Sequence, residues 1–160
     1  MIREGVRVRF LDTVESLQAL RIGSRVGVVL PAHVTSGGKA MLAELDSDDI
    51  MRLYRNEPDP PDLEPLLRSL ASVRRRNYGI NVGESERGVT AVGVRVRVHG
   101  ASSVAAVTVS APSFRLPRAR MPEVAETVHD AVRRIEADLA EPAAEHPAGR
   151  APHSDDEKGA

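Results

Sequence analysis

The chain opens with a period-two pattern. Val6, Val8 and Phe10 alternate with Arg7 and Arg9, so residues 6–11 read as a half-buried strand. Residues 12–30 are mixed and predict irregular structure, with a short extended piece at 26–30 that Pro31 ends. The period then lengthens. Ala40, Met41, Glu44 and Leu45 follow helical spacing, with Thr35 or Ser36 as the N-cap. A second short helix starts at Ser47, where Asp48 and Asp49 complement the dipole of the first turn. It buries Ile50, Leu53 and Tyr54. Beyond the Pro- and Asp-rich loop 56–61, Leu63, Leu66, Leu67, Leu70 and Val73 form one apolar stripe over 62–76. Asn77 and Gly79 stop that helix.

Three strands follow. The first, 78–82, is short. The second, 88–98, carries Val92, Val94, Val96 and Val98 on one face. The third, 103–111, returns after the turn His99-Gly100-Ala101-Ser102, so the last two form a hairpin that Pro112 closes. Residues 122–139 make an amphipathic helix, with Met121, Val124, Val128, Val132, Ile135 and Leu139 at spacings of three and four. From Pro142 onward the apolar content is too low to pack, and 141–160 is expected to be a disordered tail. This order of elements predicts an α+β domain over 1–140, an antiparallel sheet with helices packed on it.

Composition removes several classes of function. Aromatic residues make up only 2% and Trp is absent, so the core is aliphatic. There are no cysteines, which excludes disulfides, thiolate metal sites and a Cys nucleophile. No apolar run approaches the roughly 20 residues of a membrane span, and the start has no apolar signal region. A cytoplasmic protein with no membrane partner is expected. The net charge of −1 lacks the basic excess of a nucleic-acid binder. Arg74, Arg75 and Arg76 end a helix, where the dipole alone explains them. The histidines are scattered. Only His129 has carboxylates at helical spacing, Glu126 and Asp130, and His33 is read as a loop-positioning residue. Neither a metal-ligand set nor a nucleophile–base pair can be assigned, so neither a cofactor nor an enzyme is expected.

Two places could hold a ligand. At Ser36-Gly37-Gly38 a helix start leaves backbone N–H groups unpaired, and two glycines let an anion approach them. The same residues also read as a flexible turn before a helix. They are not a phosphate-binding P-loop, because His33 stands where its first Gly belongs and Ala40 where its Ser/Thr belongs. On the hairpin, Thr108 and Ser110 share one strand face, which is either a ligand-facing pair of hydroxyls or a solvent-facing polar row. Val89 and Ala91 also share a face, where small side chains could leave a cavity.

Several spaced motifs resemble one family. Residues 8–16, Val-Arg-Phe-Leu-Asp-Thr-Val-Glu-Ser, are similar to the entry strand of the effector-binding domain of IclR-family bacterial regulators. Residues 30–40 resemble that family's Pro-x-His-x-(Ser/Thr)-x-x-Gly-Lys-Ala signature. Residues 73–79 resemble its Arg-x-x-Gly-Tyr run, with Asn77 in place of the usual Gly. Residues 84–89 and 105–116 fit its Glu-x-x-x-Gly and Ser-x-Pro-x-x-Arg blocks. The resemblance implies a GAF-like fold, an antiparallel sheet flanked by helices, that binds a small organic acid effector and assembles as a dimer or tetramer. DNA would be reached only through a winged helix-turn-helix that is absent from this chain. The resemblance also implies that backbone N–H groups at Ser36, Gly37 and Gly38 hold a ligand carboxylate. Asn81, Val89, Ala91, Thr108 and Ser110 would line the rest, with Ile22 and Leu30 as apolar walls.

Two departures bear on the ligand. Position 81 is often Asp in the family and is Asn81 here, and position 91 can be polar and is Ala91 here, which implies a less acidic, roomier pocket. The chain also starts at what resembles the turn of the family's first hairpin. Residues 6–11 are therefore expected to lack a preceding strand and to carry a bare edge, relieved only by a partner strand or by Arg7 and Arg9 as edge charges. The other readings of the whole chain are an oligomerisation module that modulates an intact regulator and, behind it, an enzyme acting on a small acid.

Overall fold

The computed structural model describes residues 1–97 and 105–140. The turn expected at 99–102 and the tail expected at 141–160 lie outside the described residues. Six strands form one antiparallel sheet: β1 (Ile2–Glu4), β2 (Arg7–Arg9), β3 (Val29–Pro31), β4 (Gly79–Val82), β5 (Val89–Val96) and β6 (Ala105–Pro112). Their order in the sheet is β3-β2-β1-β6-β5-β4.

The expectation of a bare edge at residues 6–11 is corrected. Gly5 at φ +60° makes a tight turn that folds residues 2–4 back as β1, with Arg3 opposite Val8. On its other side β2 pairs with β3, Val8 opposite Leu30. Three residues give too short an alternation to announce β1 in the sequence.

Four α-helices pack on the sheet: α1 (Ser36–Leu42), α2 (Ser47–Tyr54), α3 (Leu63–Arg76) and α4 (Met121–Ala140). Their caps are local. Thr35 Oγ1 accepts from Gly38 N–H, Asp46 from Asp49 N–H and Asp62 from Glu64 N–H. Asn77 ends α3 in the left-handed region at φ 62°. Arg74, at the end of α3, donates to the carbonyls of Ala43 and Leu45 and so satisfies the C-terminal end of α1.

The two sheet faces bury different helices. On one face Val92, Val94 and Val96 pack against Met121, Ala125, Val128 and Val132 of α4. On the other lie α1, with α2 and α3 behind it, and the main core of Val8, Met41, Leu42, Ile50 and Leu70, all fully buried. The aliphatic core expected from the composition is what forms.

Candidate functional site

Position α1 first, because it sets the rest. The cross-strand row Gly79–Gly93–Thr108 runs over β4, β5 and β6 beneath α1, and the next row on the same face is Asn81–Ala91–Ser110. A methyl group on Gly93 would stand 2.5 Å from Gly37 N, and one on Gly79 would stand 2.0 Å from the carbonyl oxygen of Ser36. The helix backbone therefore rests on strand backbone, an approach only paired glycines allow. From the helix side, a methyl on Gly37 would meet Met1 Sδ at 2.7 Å, Thr108 Cγ2 at 2.9 Å and Ala106 Cβ at 3.1 Å.

This placement decides what Ser36, Gly37 and Gly38 do. All three are buried. Thr35 takes the Gly38 N–H on its hydroxyl and the Lys39 N–H on its carbonyl. Gly37 lies against the Gly93 backbone, and Met1 and Thr108, which would meet a methyl group on Gly37, also line a cavity. The glycines serve close helix–sheet packing. Gly93 was missed in the sequence, although a lone Gly amid the valines of a long strand marks a close backbone approach, and Gly79 was read only as a helix stop.

The sheet opens between β1 and β6. β6 meets β1 only at its first residues, where Ile2 pairs with Ala105 and Met1 and Ala106 exchange backbone hydrogen bonds. Beyond Ala106 this edge of β6 has no strand partner among the described residues. A cavity of about 900 Å³ occupies the opening, walled by β6 from Ala106 to Pro112 and by the covering segment from Leu11 to Arg25. Ile22, Thr108 and Ser110 line it, as the family resemblance implied. Since Ala106 directs its N–H and C=O toward β1, the alternation of an antiparallel strand turns those of Thr108 and Ser110 the same way, into the opening. The wall thus offers backbone donors and acceptors beside two hydroxyls. Ser36, Gly37, Gly38, Asn81, Val89, Ala91 and Leu30 are not part of this wall. Leu30 packs on the main core, Val89 is buried opposite Pro112, and Ala91 is buried between Asn81 and Ser110.

Asn81 is 3% exposed and both ends of its amide are engaged. Oδ1 accepts from Glu84 N–H at 2.9 Å, and Nδ2 donates to Ser85 Oγ at 2.6 Å. The turn so fixed presents Glu84 to Lys39, whose Nζ donates to both carboxylate oxygens at 2.7 Å. The Lys39 side chain is 5% exposed. Burial pulls its ammonium below the usual lysine range, and the Glu84 contact opposes that. Asn81 therefore acts on the helix through Glu84 and Lys39. His33 does not position its loop by hydrogen bonding: its buried Nδ1 has no partner among the described residues, and its ring meets Tyr54 edge-on at 5.9 Å.

A second cavity of about 370 Å³ lies beside α4, lined by Arg76, Arg95, Arg97, Arg133, Glu126 and Glu136 among others. Arg95 and Arg97 share Glu44, and Arg133 pairs with Asp130; the lining itself carries four arginines against Glu126 and Glu136. Among the described residues no group of three or more His, Cys, Asp or Glu could hold a metal ion, and no helix is long and apolar enough to cross a membrane.

The described residues thus form an α+β sheet domain with a cavity at its open seam. Comparison with known proteins makes the class specific. Residues 1–137 match the family model "Bacterial transcriptional regulator IclR C-terminal", and the chain belongs to that family. It is 28% identical over 137 residues to the HTH-type transcriptional regulator KdgR of Escherichia coli, covering 81% of this chain and 52% of KdgR. It is 34% identical over 119 residues to the probable transcriptional regulator SauR of Cupriavidus necator, covering 70% of this chain and 47% of SauR. The chain thus spans about half the length of these curated relatives. The crystal structure of Thermotoga maritima IclR has the same fold, with a TM-score of 0.75 at 24% identity over 88% of this chain and 60% of that one. So does the C-terminal domain of E. coli KdgR, with a TM-score of 0.70 at 24% identity over 88% of this chain and 85% of that one.

Proposed function

We propose that this chain is the ligand-sensing part of a bacterial transcriptional regulator, and that its effector is an organic acid bound in the cavity between β6 and the covering segment. The observation that carries the reading is the open seam of the sheet. It combines a ligand-sized volume, apolar walls and a few directed polar groups, the usual make-up of a small-molecule site. The names of the relatives support a regulatory role. Control of DNA would pass through a DNA-binding part outside this chain, and the reading implies action in the cytoplasm without catalysis.

Ligand that binds only the folded state raises stability by mass action, by about 2.7 kcal/mol at one hundred times Kd. A thermal-shift screen of metabolic carboxylates should return acids that raise Tm by several degrees in a concentration-dependent way. A screen of carboxylates of all sizes without one such shift contradicts the proposal.

A second reading, self-association, is favoured by exposed apolar side chains on and just before β3: Val26, Val28 and Val29. Light scattering across a concentration series checks it. Dimers or tetramers are expected, and a monomer at all concentrations contradicts it.

A further inference from the structure

The chemistry of the cavity narrows its occupant, an inference that rests on the effector-site reading above. Three arginines reach its wall, Arg21, Arg25 and Arg115. Two already have counter-charges: Arg21 pairs with Glu15 at 2.7 Å, and Arg25 pairs with Glu86. Arg115 pairs with no carboxylate among the described residues. Its Nη1 donates to the carbonyl of Leu20 at 2.6 Å, and its guanidinium stands 5.3 Å from the Phe114 ring. A guanidinium has five N–H donors, so one carbonyl leaves most of them unused. Asp12 and the Met1 ammonium, which donates to the Ala106 carbonyl at 3.0 Å, are further wall charges without an ion partner among the described residues. Asp12 is exposed, and its carboxylate accepts from Thr13 N–H at 2.7 Å. Arg115 is half-buried, which strengthens its attraction for an anion, and its planar fork suits a carboxylate held through two parallel bonds.

The rest of the wall is apolar and underused. Leu11, Leu20 and Val109 are 54%, 57% and 41% exposed, and each apolar Å² they lose to a ligand is worth about 25 cal/mol. An acid of two or three carbons would leave most of a 900 Å³ cavity to water. We propose that the occupant is a carboxylic acid with a ring-sized or medium-chain apolar body, its carboxylate held by Arg115 and its body lying on Leu11, Leu20, Ile22 and Val109. Because Arg115 also holds Leu20, capture of the carboxylate and the position of the covering segment are coupled through one side chain.

Calorimetric titration of the intact chain tests this with four probes: cyclohexanecarboxylate, hexanoate, acetate and the neutral cyclohexanecarboxamide. The two larger acids should bind at least about tenfold more tightly than acetate. Arg115→Gln should weaken cyclohexanecarboxylate by about tenfold or more, the scale of a charge-assisted pair, and change the amide by less than about twofold. Arg115→Lys, which keeps the charge without the fork, should recover part of the loss. Should R115Q fail to fold, R115K carries the same comparison, with the acid losing more than the amide. Acetate binding as tightly as the larger acids, or R115Q leaving the acids unchanged, overturns this proposal while the effector site stands. Equal losses for acid and amide reduce Arg115 to a tether for the segment and also overturn it. If no acid binds at all, the effector-site reading falls with it.

Discussion

At Gly93 one absent methyl group decides whether α1 can lie on the sheet. The space a Cβ needs is taken by backbone of Ser36 and Gly37, 2.5–2.8 Å away, and backbone cannot swing aside as a side-chain tip can. Gly93→Ala should therefore cost more than the 1–3 kcal/mol that is typical of overpacking. Gly37→Ala, whose neighbours are the side-chain atoms of Met1, Thr108 and Ala106, should cost less. Denaturation midpoints of the two variants check the order, and equal or reversed losses contradict it. The same geometry brings Met1, Thr108 and strand backbone against Gly37, and the Thr35 hydroxyl against Gly38, where the sequence offered an anion site. The sequence shows that a helix start is glycine-rich, but not whether ligand or strand backbone comes close to it. Tyr54 makes a separate residue-scale case. It is 2% exposed, and its hydroxyl has no hydrogen-bond partner among the described residues. Burial, with Glu57 adding and Arg3 opposing, pushes its phenol up to about 12 from 10.0. A group raised in the folded state contributes stability that is whole below its unfolded value and fades as pH climbs through the folded one. Stability should therefore fall between about pH 10 and 12. Tyr54→Phe should flatten that fall and be at least as stable as the parent at pH 7, since the orphan hydroxyl is gone. Urea midpoints at both ends of the window read it, and an undiminished alkaline loss in the variant contradicts it.

Among the elements, those announced by local chemistry were legible. The Thr35 N-cap, the left-handed stop at Asn77 and the apolar stripes of α3 and α4 all act within a turn or two of the chain, so sequence locates them nearly to the residue, whereas the caps Asp46 and Asp62 were not singled out. β1 was not legible, because three residues carry too little alternation. Nor was the seam between β1 and β6, which depends on how far two strands distant in sequence stay paired. The seam makes a pattern of its own. Val107 and Val109 direct their backbone N–H toward β5, whereas those of Thr108 and Ser110 face the opening. Hydrogen exchange in the unliganded protein should alternate along β6, protected at 107 and 109 and fast at 108 and 110. Uniform protection along the strand would mean that the edge is paired and the cavity shut.

For the whole molecule, the hydroxyls of Thr108 and Ser110 and the apolar wall at Ile22 meet at one cavity, and these were readable from strand alternation and family motifs. Asn81 holds the turn that presents Glu84 to Lys39, a contact that joins residues 45 positions apart and leaves no local trace in the sequence. Arg115 was matched to a family block but given no place in the site, because its isolation from carboxylates exists only in the folded chain. The central claim is that an organic acid enters between β6 and the covering segment. Methyl-labelled NMR titration with cyclohexanecarboxylate tests it most directly. Saturable shifts confined to Ile22, Leu11, Leu20, Val107 and Val109, with Val94 and Val132 of the second cavity unmoved, are predicted. Shifts centred on Val94 and Val132, or no saturable shift at any methyl, contradict it.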